Sequence, residues 1–417
     1  MNEKQLSVRL YGIQVGILEQ TSMGDLTFGY DPTAKQAISF SLPLREQVYH
    51  SKDCEAFFDG LLPESEKVKK IIGNRYGVSP NNIFSLLKVI GRDCAGAISF
   101  HSLSDPETGQ DQVPLSGRIV SEDELYEHIR DLPKKPLFLD FDGLRFSLAG
   151  VQDKAAVCLI DNQIALPQNN CPTTHILKPA IPGYENTVEN EYICLETAAQ
   201  IGLSIPKKEI RKIKDINFLL IERYDRHIQN NFVKRIHQED FCQALNIPSY
   251  RKYQSDGGPG FSDCFNLLNN TTTPVLGRTM LASAVVYNYL IGNMDAHGKN
   301  FSLLYQNDSQ FGLSPFYDIV CTLFYPNLST KMAMKIGSCY KAMDVYPRHW
   351  EDLCHKVGYS YPALKRLIYT QSEAMMKSLD SSREFYVELT RDHAFVDKFI
   401  EFINENISRT LKNFEMV

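Results

Sequence analysis

Hydrophobic and polar residues alternate along the first part of the chain. Apolar residues occupy every second position from 6 to 10 and again from 13 to 17, and Gly12 lies between the two runs. A period of two is typical of β-strands that bury one face. Segments 27–30 and 38–42 are predicted to be further short strands. We therefore expect the first hundred residues to be rich in strand.

Two helices and one loop are predicted in the next part of the sequence. From about Asn82, apolar residues recur at the spacing of one helix face as far as Ile90. Ser121 followed by Glu124 forms a capping box, which predicts the start of a short helix. Segment 103–120 is polar and contains several Pro and Gly residues, so we predict a loop there.

Strands and one helix alternate between about residues 144 and 225. Segment 155–160 is apolar enough for a buried strand, and segments 174–178 and 217–224 are two more strands. Residues 188–200 have helical periodicity. This part of the chain therefore predicts a mixed α/β unit.

Helical patterns dominate the sequence after residue 238. They are clearest at 279–291, at 347–357 and through much of 361–415. The residues alone thus indicate an α+β protein with a mixed front half and an α-helical back half.

Composition excludes several classes of protein. The 417 residues are 43% hydrophobic and 23% charged, which is typical of a globular protein, and a net charge of −6 argues against broad binding of nucleic acid. None of the ten cysteines has a zinc-site spacing, so they are interpreted as small core residues in a reducing cytosol. The N-terminus has no apolar signal segment and no stretch approaches membrane-spanning length, so we expect a cytoplasmic protein without membrane contact.

Three polar residues near the end of the chain carry the most specific chemistry. Asn300 follows Asp295 by five positions, and Asp318 follows Asn300 by 18. A kinase catalytic loop has an Asp and an Asn at the first spacing, followed by a metal-binding Asp. Phosphoryl transfer uses one Asp to orient the attacking hydroxyl, and an Asn and a second Asp to hold magnesium. The alternative is an ordinary helix end in which Gly292 and its neighbours are turn residues. When the D-x-x-x-x-N pattern is considered alone, this alternative is favoured.

Three earlier segments are compatible with the same chemistry. Small residues at 147–154 precede a strand and would let backbone N–H groups approach a phosphate, although a simple tight turn explains them as well. Lys178 lies in a predicted strand, as does the kinase lysine that meets the nucleotide phosphates; Glu189 or Glu191 in the next helix would pair with it. Segment 222–226 ends a strand just before the helical half, where a kinase has its hinge. A solvated lysine and a charged strand exit are the alternatives.

The order of these segments, with several further motifs, resembles one family over nearly the whole chain. The matching segments are 58–63, 90–97, 147–154, 172–178, 190–192 and 222–226, and the strongest are 253–260, 295–302 and 315–319. In these residues the chain resembles the HipA-type serine/threonine kinases, toxins of bacterial toxin–antitoxin modules.

The resemblance implies a two-lobed protein-kinase-like fold. Residues 1–120 would form a strand-rich N-terminal subdomain, 121–237 the ATP-binding part of the N-terminal lobe, and 238–417 an all-helical C-terminal lobe that holds the catalytic residues. Asp295 would be the catalytic residue, and Asn300 and Asp318 would bind Mg²⁺. Ser147 would be the serine that such kinases autophosphorylate to switch themselves off. The residues implied to bind ATP are Ala149, Gly150, Val151, Gln152, Asp153, Lys154, Lys178, Glu222, Tyr224, His297 and Tyr317.

The resemblance also implies partners. These are a HipB-like helix-turn-helix antitoxin, operator DNA reached through that antitoxin, and an aminoacyl-tRNA synthetase as substrate, with the glutamyl enzyme first. Three other functions stay open at the level of sequence: a small-molecule kinase on the same scaffold, an inactive kinase-fold binding module, and a secreted host-directed kinase effector. The set Lys178, Asp295, Asn300 and Asp318 argues against an inactive protein.

Overall fold

A computed structural model describes residues 4–107, 112–138, 147, 150, 152–306 and 310–415. The described residues form two compact units. The first unit comprises those within 1–179, 211–250 and 302–311, and the second those within 180–210, 251–301 and 312–417. The chain thus passes between the units more than once. The linear divisions expected at residues 120 and 237 stay predictions.

A five-stranded antiparallel sheet accounts for the strand-rich beginning of the first unit. Its strand order is β4-β3-β2-β1-β5. The strands are β1 (Gln5–Leu10), β2 (Ile13–Gln20), β3 (Leu26–Tyr30), β4 (Tyr49–His50) and β5 (Ile98–His101). The strands predicted at 6–10, 13–17 and 27–30 are confirmed. The strand predicted at 38–42 is wrong, because only an isolated bridge joins Ser39 to Leu42 there.

A six-stranded sheet lies next along the chain, with the order β11-β12-β10-β8-β9-β7. Its strands are β7 (Gly117–Ile119), β8 (Ala155–Ile160), β9 (Gln163–Pro167), β10 (His175–Pro179), β11 (Lys208–Ile213) and β12 (Ile216–Glu222). β10 is central, with Leu177 paired to Ala155 on one side and to Leu220 on the other. All three side chains are buried, which explains why these strands were recognisable as apolar runs.

Two smaller sheets contain strands that the sequence did not indicate. One has the order β13-β14-β6 and the other β15-β16-β17. Their strands are β6 (Gln112–Pro114), β13 (Arg226–Gln229), β14 (Phe232–Arg235), β15 (Gln238–Asp240), β16 (Ser302–Tyr305) and β17 (Phe311–Leu313). β6 and β7 lie in the segment predicted as a loop, so that prediction is wrong for 112–114 and 117–119. Pairing with distant β14 and β9 extends these short polar segments.

Short helices complete the first unit. They are α1 (Ser51–Gly60), α2 (Glu66–Tyr76), α3 (Ile83–Ile90), α4 (Glu122–Asp131) and α6 (Phe241–Ala244). α3 and α4 begin where the sequence predicted, and the Ser121 side chain accepts a hydrogen bond from the Glu124 backbone N–H at the start of α4. Buried residues of α1 and α3 pack with the five-stranded sheet in one hydrophobic core.

Helices dominate the second unit. They are α5 (Thr187–Gln200), α7 (Phe261–Leu267), α8 (Pro274–Ile291), α9 (Pro347–Val357), α10 (Tyr361–Ser381), α11 (Arg383–Thr390) and α12 (His393–Glu415). α8 is buried around most of its circumference, and Tyr289 meets the indole of Trp350 edge to face with ring centroids 5.2 Å apart. The Asn406 amide of α12 donates hydrogen bonds to the backbone carbonyls of Tyr289 and Leu290. These contacts fix the helix that leads to the candidate site.

The C-terminal part of the chain is not all-helical, which corrects one expectation. Besides β16 and β17, it contains the hairpin β18 (Lys331–Ile336) and β19 (Cys339–Lys341). Met332, Met334 and Ile336 are buried in β18, and Gly337 at φ +60° begins the turn. Lys331 and Lys335 bound an apolar run of only three residues, which is too short to predict a strand against the surrounding helical patterns.

The cysteines and the helices agree with two of the composition arguments. All ten cysteines are unpaired by disulfides, and nine of them are buried. Among the helices that the structure describes, none is both long and apolar enough to cross a lipid bilayer.

Candidate active site

Asp295 lies four residues beyond Ile291, the last residue of α8. Gly292 ends that helix with φ +84°, a left-handed conformation that favours glycine. Asn293 then donates from its side-chain amide to the Asn288 side chain at 2.8 Å and accepts the Asp295 backbone N–H at 3.1 Å. The turn residues that gave the alternative interpretation are therefore present, and they hold Asp295 at a fixed position.

A hydrogen bond joins Asn300 to Asp295, which lies five positions earlier in the chain. The intervening chain ends in a single 3-10 turn, Gly298–Asn300. The Asn300 side-chain amide donates to the Asp295 backbone carbonyl at 3.1 Å. Because the nitrogen end of the amide is used in this bond, the oxygen end is the atom suited to a cation.

The side chains of Tyr253 and His297 lie next to the Asp295 carboxylate. The Tyr253 hydroxyl donates to Asp295 Oδ1 at 2.8 Å. The Nε2 atom of buried His297 lies 3.9 Å from Asp295 Oδ2, and the His297 ring meets the Tyr253 ring edge to face with centroids 5.3 Å apart. The Asp295 side chain is nevertheless 49% exposed, so solvent reaches it.

The second acidic residue stands on a strained backbone. Asp318 has φ +57°, in the left-handed region that costs most L-residues energy but that Asp tolerates better than most. The Tyr317 hydroxyl donates to the Lys299 backbone carbonyl at 2.7 Å. Phe316 and Ile319 are buried on either side. Anchored neighbours thus impose this conformation on Asp318, as is common for functional residues.

These residues fit a magnesium ion bound together with a nucleotide. Magnesium in kinases is held by one or two carboxylates and by substrate phosphates rather than by a cage of protein ligands. Asn300 and Asp318 supply one amide oxygen and one carboxylate. No group of three or more His, Cys, Asp or Glu that could hold a metal ion occurs among the described residues. An ion of this kind needs few protein ligands, so binding of Mg²⁺ by Asn300 and Asp318 stays a prediction.

The other residues predicted to bind ATP lie in the first unit. Lys178 is in β10 opposite Leu219 of β12, and it is only 6% exposed. The alternative of a solvated lysine is thus wrong at this position. Glu222 ends β12. Two residues after it, the Tyr224 hydroxyl donates to the Gln238 side chain. Glu191, a suggested partner of Lys178, is buried in α5 of the second unit; the pairing stays a prediction.

The predicted phosphate loop is described only in part. Ala149 and Val151 lie outside the described residues. Gly150 has φ +104°, a backbone conformation that L side chains rarely adopt and that favours glycine. Gln152 donates from its side-chain amide to the Pro179 backbone carbonyl at 3.1 Å. Asp153 and Lys154 follow and lead directly into β8.

Ser147, the expected phosphorylation site, is buried. Its hydroxyl donates to the Leu61 backbone carbonyl at 2.6 Å, and its backbone N–H donates to the Asp93 carbonyl at 2.9 Å. Both partners belong to segments singled out in the sequence, 58–63 and 90–97, for which no role had been inferred. One of their roles is to hold Ser147.

A buried ionic cluster around Asp93 was missed by sequence reasoning. The Asp93 carboxylate lies 2.9 Å from the Arg226 guanidinium and 3.2 Å from that of Arg235, and it accepts the Thr173 hydroxyl at 2.7 Å. Arg223 lies 3.6 Å away and also binds Asp225 at 2.8 Å. Burial would raise the pKa of Asp93, but the three guanidinium groups outweigh it and hold that pKa well below its usual range. The Glu222–Arg226 segment is therefore a structural anchor as well as a candidate hinge.

Comparison with known proteins decides the family. The model of the HipA-like C-terminal domain matches residues 146–379, and that of the HipA N-terminal domain matches residues 6–101. This chain belongs to the HipA family. It is 38% identical to the Y4mE protein of Sinorhizobium fredii (strain NGR234), named as a proposed kinase, over 95% of this chain and 97% of that one. It is 30% identical to the serine/threonine-protein kinase toxin HipA of Shewanella oneidensis MR-1, over 71% of this chain and 69% of that one.

The HipA fold extends over the whole chain. A solved structure of Shewanella oneidensis MR-1 HipA with HipB and its operator DNA matches with a TM-score of 0.82 and 24% identity, over 99% of each chain. The predicted α+β, protein-kinase-like fold is confirmed. The chain is thus a HipA-like kinase by family. The individual roles of the site residues stay predictions. In the second unit, Asp295 contacts His297 and Asn300, and the Tyr317 hydroxyl binds the backbone carbonyl of Lys299, the residue before Asn300.

Proposed function

We propose that this HipA-family chain is an ATP-dependent protein kinase that phosphorylates serine or threonine. The observation that supports it best is the arrangement around Asp295: a half-exposed carboxylate, with Asn300 held at its backbone carbonyl. This is the constellation that phosphoryl transfer needs, since catalysis there depends mainly on positioning and charge stabilisation.

In the proposed reaction, Asp295 orients the hydroxyl of the acceptor residue and takes its proton as the oxygen attacks. Asn300 and Asp318 hold Mg²⁺. Lys178 contacts the nucleotide phosphates together with the 149–154 segment, and the backbone of Glu222 and Tyr224 receives the adenine. His297 and Tyr317 are two further proposed contacts of the nucleotide. Bound ATP supplies the phosphoryl group, and magnesium neutralises the charge that develops on it.

The substrate and partners are proposed from the relatives. The Shewanella oneidensis relative is named as a serine/threonine kinase toxin, and the Shewanella structure contains HipB and operator DNA. We propose that this chain likewise binds a HipB-like helix-turn-helix antitoxin in the cytoplasm and reaches operator DNA through it. The proposed substrate is an aminoacyl-tRNA synthetase, with the glutamyl enzyme as the first candidate, whose phosphorylation would halt translation.

A phosphoproteome comparison tests this function. The chain and its Asp295→Asn variant are expressed separately, and phosphopeptides are quantified in both cultures. Phosphoserine or phosphothreonine on a synthetase that appears only with the unaltered chain supports the proposal in full. Phosphate on another protein retains the kinase and rejects the synthetase. ATP binding without any phosphoprotein would indicate a small-molecule kinase or an inactive binding module instead.

A further inference from the structure

We propose that the hairpin of β18 and β19 is a docking surface for an acidic segment of the protein substrate. The surface consists of three side chains, Lys331, Lys335 and Lys341, which we call the lysine cluster. It binds carboxylates close to the residue that receives the phosphate. This inference rests on the proposed function, because it names a property of the substrate of that reaction. No role had been attached to segment 331–341 from the sequence.

The hairpin is joined to the segment that carries Asp295. The Ala333 backbone N–H of β18 donates to the Met294 carbonyl at 2.8 Å, and the Lys335 backbone N–H donates to the Gln254 side chain at 2.9 Å. The two lysines of β18 each lie two positions from Ala333, so their Cα atoms are within about 7 Å of it. The lysine cluster therefore lies beside the candidate catalytic segment of the same unit.

The hairpin concentrates positive charge at a cost in stability. Lys331 in β18 stands directly opposite Lys341 in β19. Like charges at directly opposed positions of an antiparallel pair repel each other and destabilise the pair. The ammonium groups of Lys331 and Lys335 lie 4.9 and 5.8 Å from the centroid of the Tyr340 ring, so one ring holds two cations near each other. A local arrangement that lowers stability in this way is typical of a functional surface.

The charge of the cluster is not neutralised within the described part of the chain. None of the three lysines forms an ion pair with a residue that the structure describes. Two of them are exposed, and Lys335 is half-buried. The Asp352 carboxylate lies beside the turn of the hairpin at Gly337, but it is paired with Lys356 at 2.7 Å. The lysine cluster is therefore complementary to carboxylates that a partner brings.

The cluster fits an acidic protein segment better than a nucleic acid. Single-stranded nucleic acid binds along an extended cationic groove and stacks its bases on open aromatic faces. Here the three lysines are confined to one short hairpin, and the Tyr340 ring already has two ammonium groups against it. The net charge of −6 provides no wider positive surface for a nucleic acid. A few acidic residues beside the acceptor serine or threonine match the size of the cluster.

Binding to the full chain is measured by fluorescence anisotropy in the absence of ATP. The probes are a labelled peptide whose central serine is flanked by aspartates, its counterparts with asparagines and with lysines, and oligouridine. Because an exposed ion pair contributes little by itself, we expect the aspartate peptide to bind roughly 10-fold more tightly than the asparagine peptide at low salt. This preference should shrink as the salt concentration rises.

Two variants test the cluster against a matched control. The first variant removes its three charges through Lys331→Gln, Lys335→Gln and Lys341→Gln. The control removes three exposed charges of α10 and α12 instead, through Arg366→Gln, Lys377→Gln and Lys398→Gln. The first variant should lose the preference for aspartate, and the control should keep it. The second variant reverses the charges through Lys331→Glu, Lys335→Glu and Lys341→Glu. It should prefer the lysine peptide, which a merely unfolded protein would not do.

Phosphoryl transfer to the aspartate peptide provides a separate measurement. The lysines bind the substrate equally in the ground state and the transition state. The glutamine variant should therefore have a KM roughly 10-fold higher and a kcat within about two-fold of the unaltered chain. A fall in kcat at unchanged KM would overturn the docking role, because that pattern belongs to a group that acts in the chemical step.

The binding outcomes separate the two proposals. Equal affinity of the unaltered chain for the aspartate and asparagine peptides overturns the docking surface, as does a glutamine variant that keeps the full preference. Oligouridine that binds more tightly than the aspartate peptide, and is lost in the glutamine variant, also overturns it and indicates a nucleic-acid partner. If the aspartate peptide binds as expected but the unaltered chain phosphorylates no protein, the proposed function fails while the acidic-segment site stands.

Discussion

The Ser147 hydroxyl donates a hydrogen bond to the Leu61 backbone carbonyl at 2.6 Å, and the Ser147 side chain is fully buried. A phosphate on that oxygen would remove the donated proton and add a charge of about −1.5 to −2 at neutral pH. The buried position cannot accommodate this phosphate, because an unpaired buried charge costs far more free energy than the hydrogen bond to Leu61 contributes. We therefore expect phosphorylation of Ser147 to require that Ser147 leaves its buried position.

We expect protein incubated with ATP and magnesium to carry phosphate on Ser147. Mass spectrometry should then find faster backbone hydrogen exchange near Leu61 and Ser147 in the modified fraction, and calorimetry should find weaker ATP binding. The Asp295→Asn variant, treated in the same way, serves as the control and should stay unmodified. Phosphate elsewhere with none on Ser147, or a phospho-Ser147 protein with full ATP affinity, would refute this switch.

Asp295→Asn should abolish phosphoryl transfer while ATP still binds. The amide keeps the shape of the side chain but cannot take the hydroxyl proton, so the rate should fall by a factor of roughly 10² to 10⁴. Turnover and calorimetric ATP binding are measured on the same preparation. Asp344→Asn, an exposed position in the second unit, is the control and should keep full activity. Undiminished turnover of Asp295→Asn would show that another group accepts the proton.

Substitution of Asp318 should remove the magnesium dependence of nucleotide binding. Asp318→Asn and Asp318→Ala both lose the carboxylate, but Asn tolerates the left-handed backbone at φ +57° better than Ala does. We expect both variants to bind ATP with the same affinity with and without magnesium. Asp318→Ala should in addition lose about 1 kcal/mol of stability. If the unaltered chain already binds ATP independently of magnesium, the metal role of Asp318 is wrong.

Asp93→Ala should destabilise the first unit strongly. It leaves the buried Arg223 and Arg226 and the partly buried Arg235 beside one another with one carboxylate fewer, and breaking a buried ion pair from one side costs roughly 3–5 kcal/mol. Asp131→Ala is the control, because its pair with Lys135 is exposed and should contribute no more than about 1 kcal/mol. Urea unfolding of both variants measures the difference. Equal effects would show that the cluster does not stabilise the fold.

Stability should depend on pH through Glu239. Burial raises the pKa of Glu239 to about 7, even though its carboxylate accepts the Phe40 backbone N–H at 2.8 Å and the hydroxyls of Ser39 and Tyr305. A folded pKa above the unfolded value of 4.5 means that the folded state binds more protons between these pH values. Stability from this group is therefore complete below about pH 4.5 and is lost as the pH rises through about 7.

Glu239→Gln isolates this effect. The Gln oxygen can still accept from Phe40 and Tyr305, and its amide can donate to the Ser39 hydroxyl, so the shape of the cluster is kept. We expect the unfolding free energy of the unaltered chain to fall by roughly 1–3 kcal/mol between pH 5 and pH 7.5 more than that of the variant. Parallel slopes in the two proteins would place the titration elsewhere.

The sequence by itself determined the elements whose signals are local. The strands at 155–160 and 174–178 and the helix at 347–357 lie where periodicity predicted them, because burial of one face or of a whole strand leaves its pattern within the segment. The D-x-x-x-x-N spacing and the later Asp318 also came from the chain alone. Their recognition needed only residue types at fixed distances along the sequence.

Tertiary structure decided the contacts between distant segments. Tyr253 meets Asp295 across 42 positions, and Asp93 meets Arg226 across 133. Likewise, β6 and β7 form only because remote strands pair with segments that are polar and short. The folding of the backbone brings such partners together, and one sequence contains no periodic signal for them. The same holds for the burial of Lys178 and Ser147, since the residues that cover them belong to other parts of the chain.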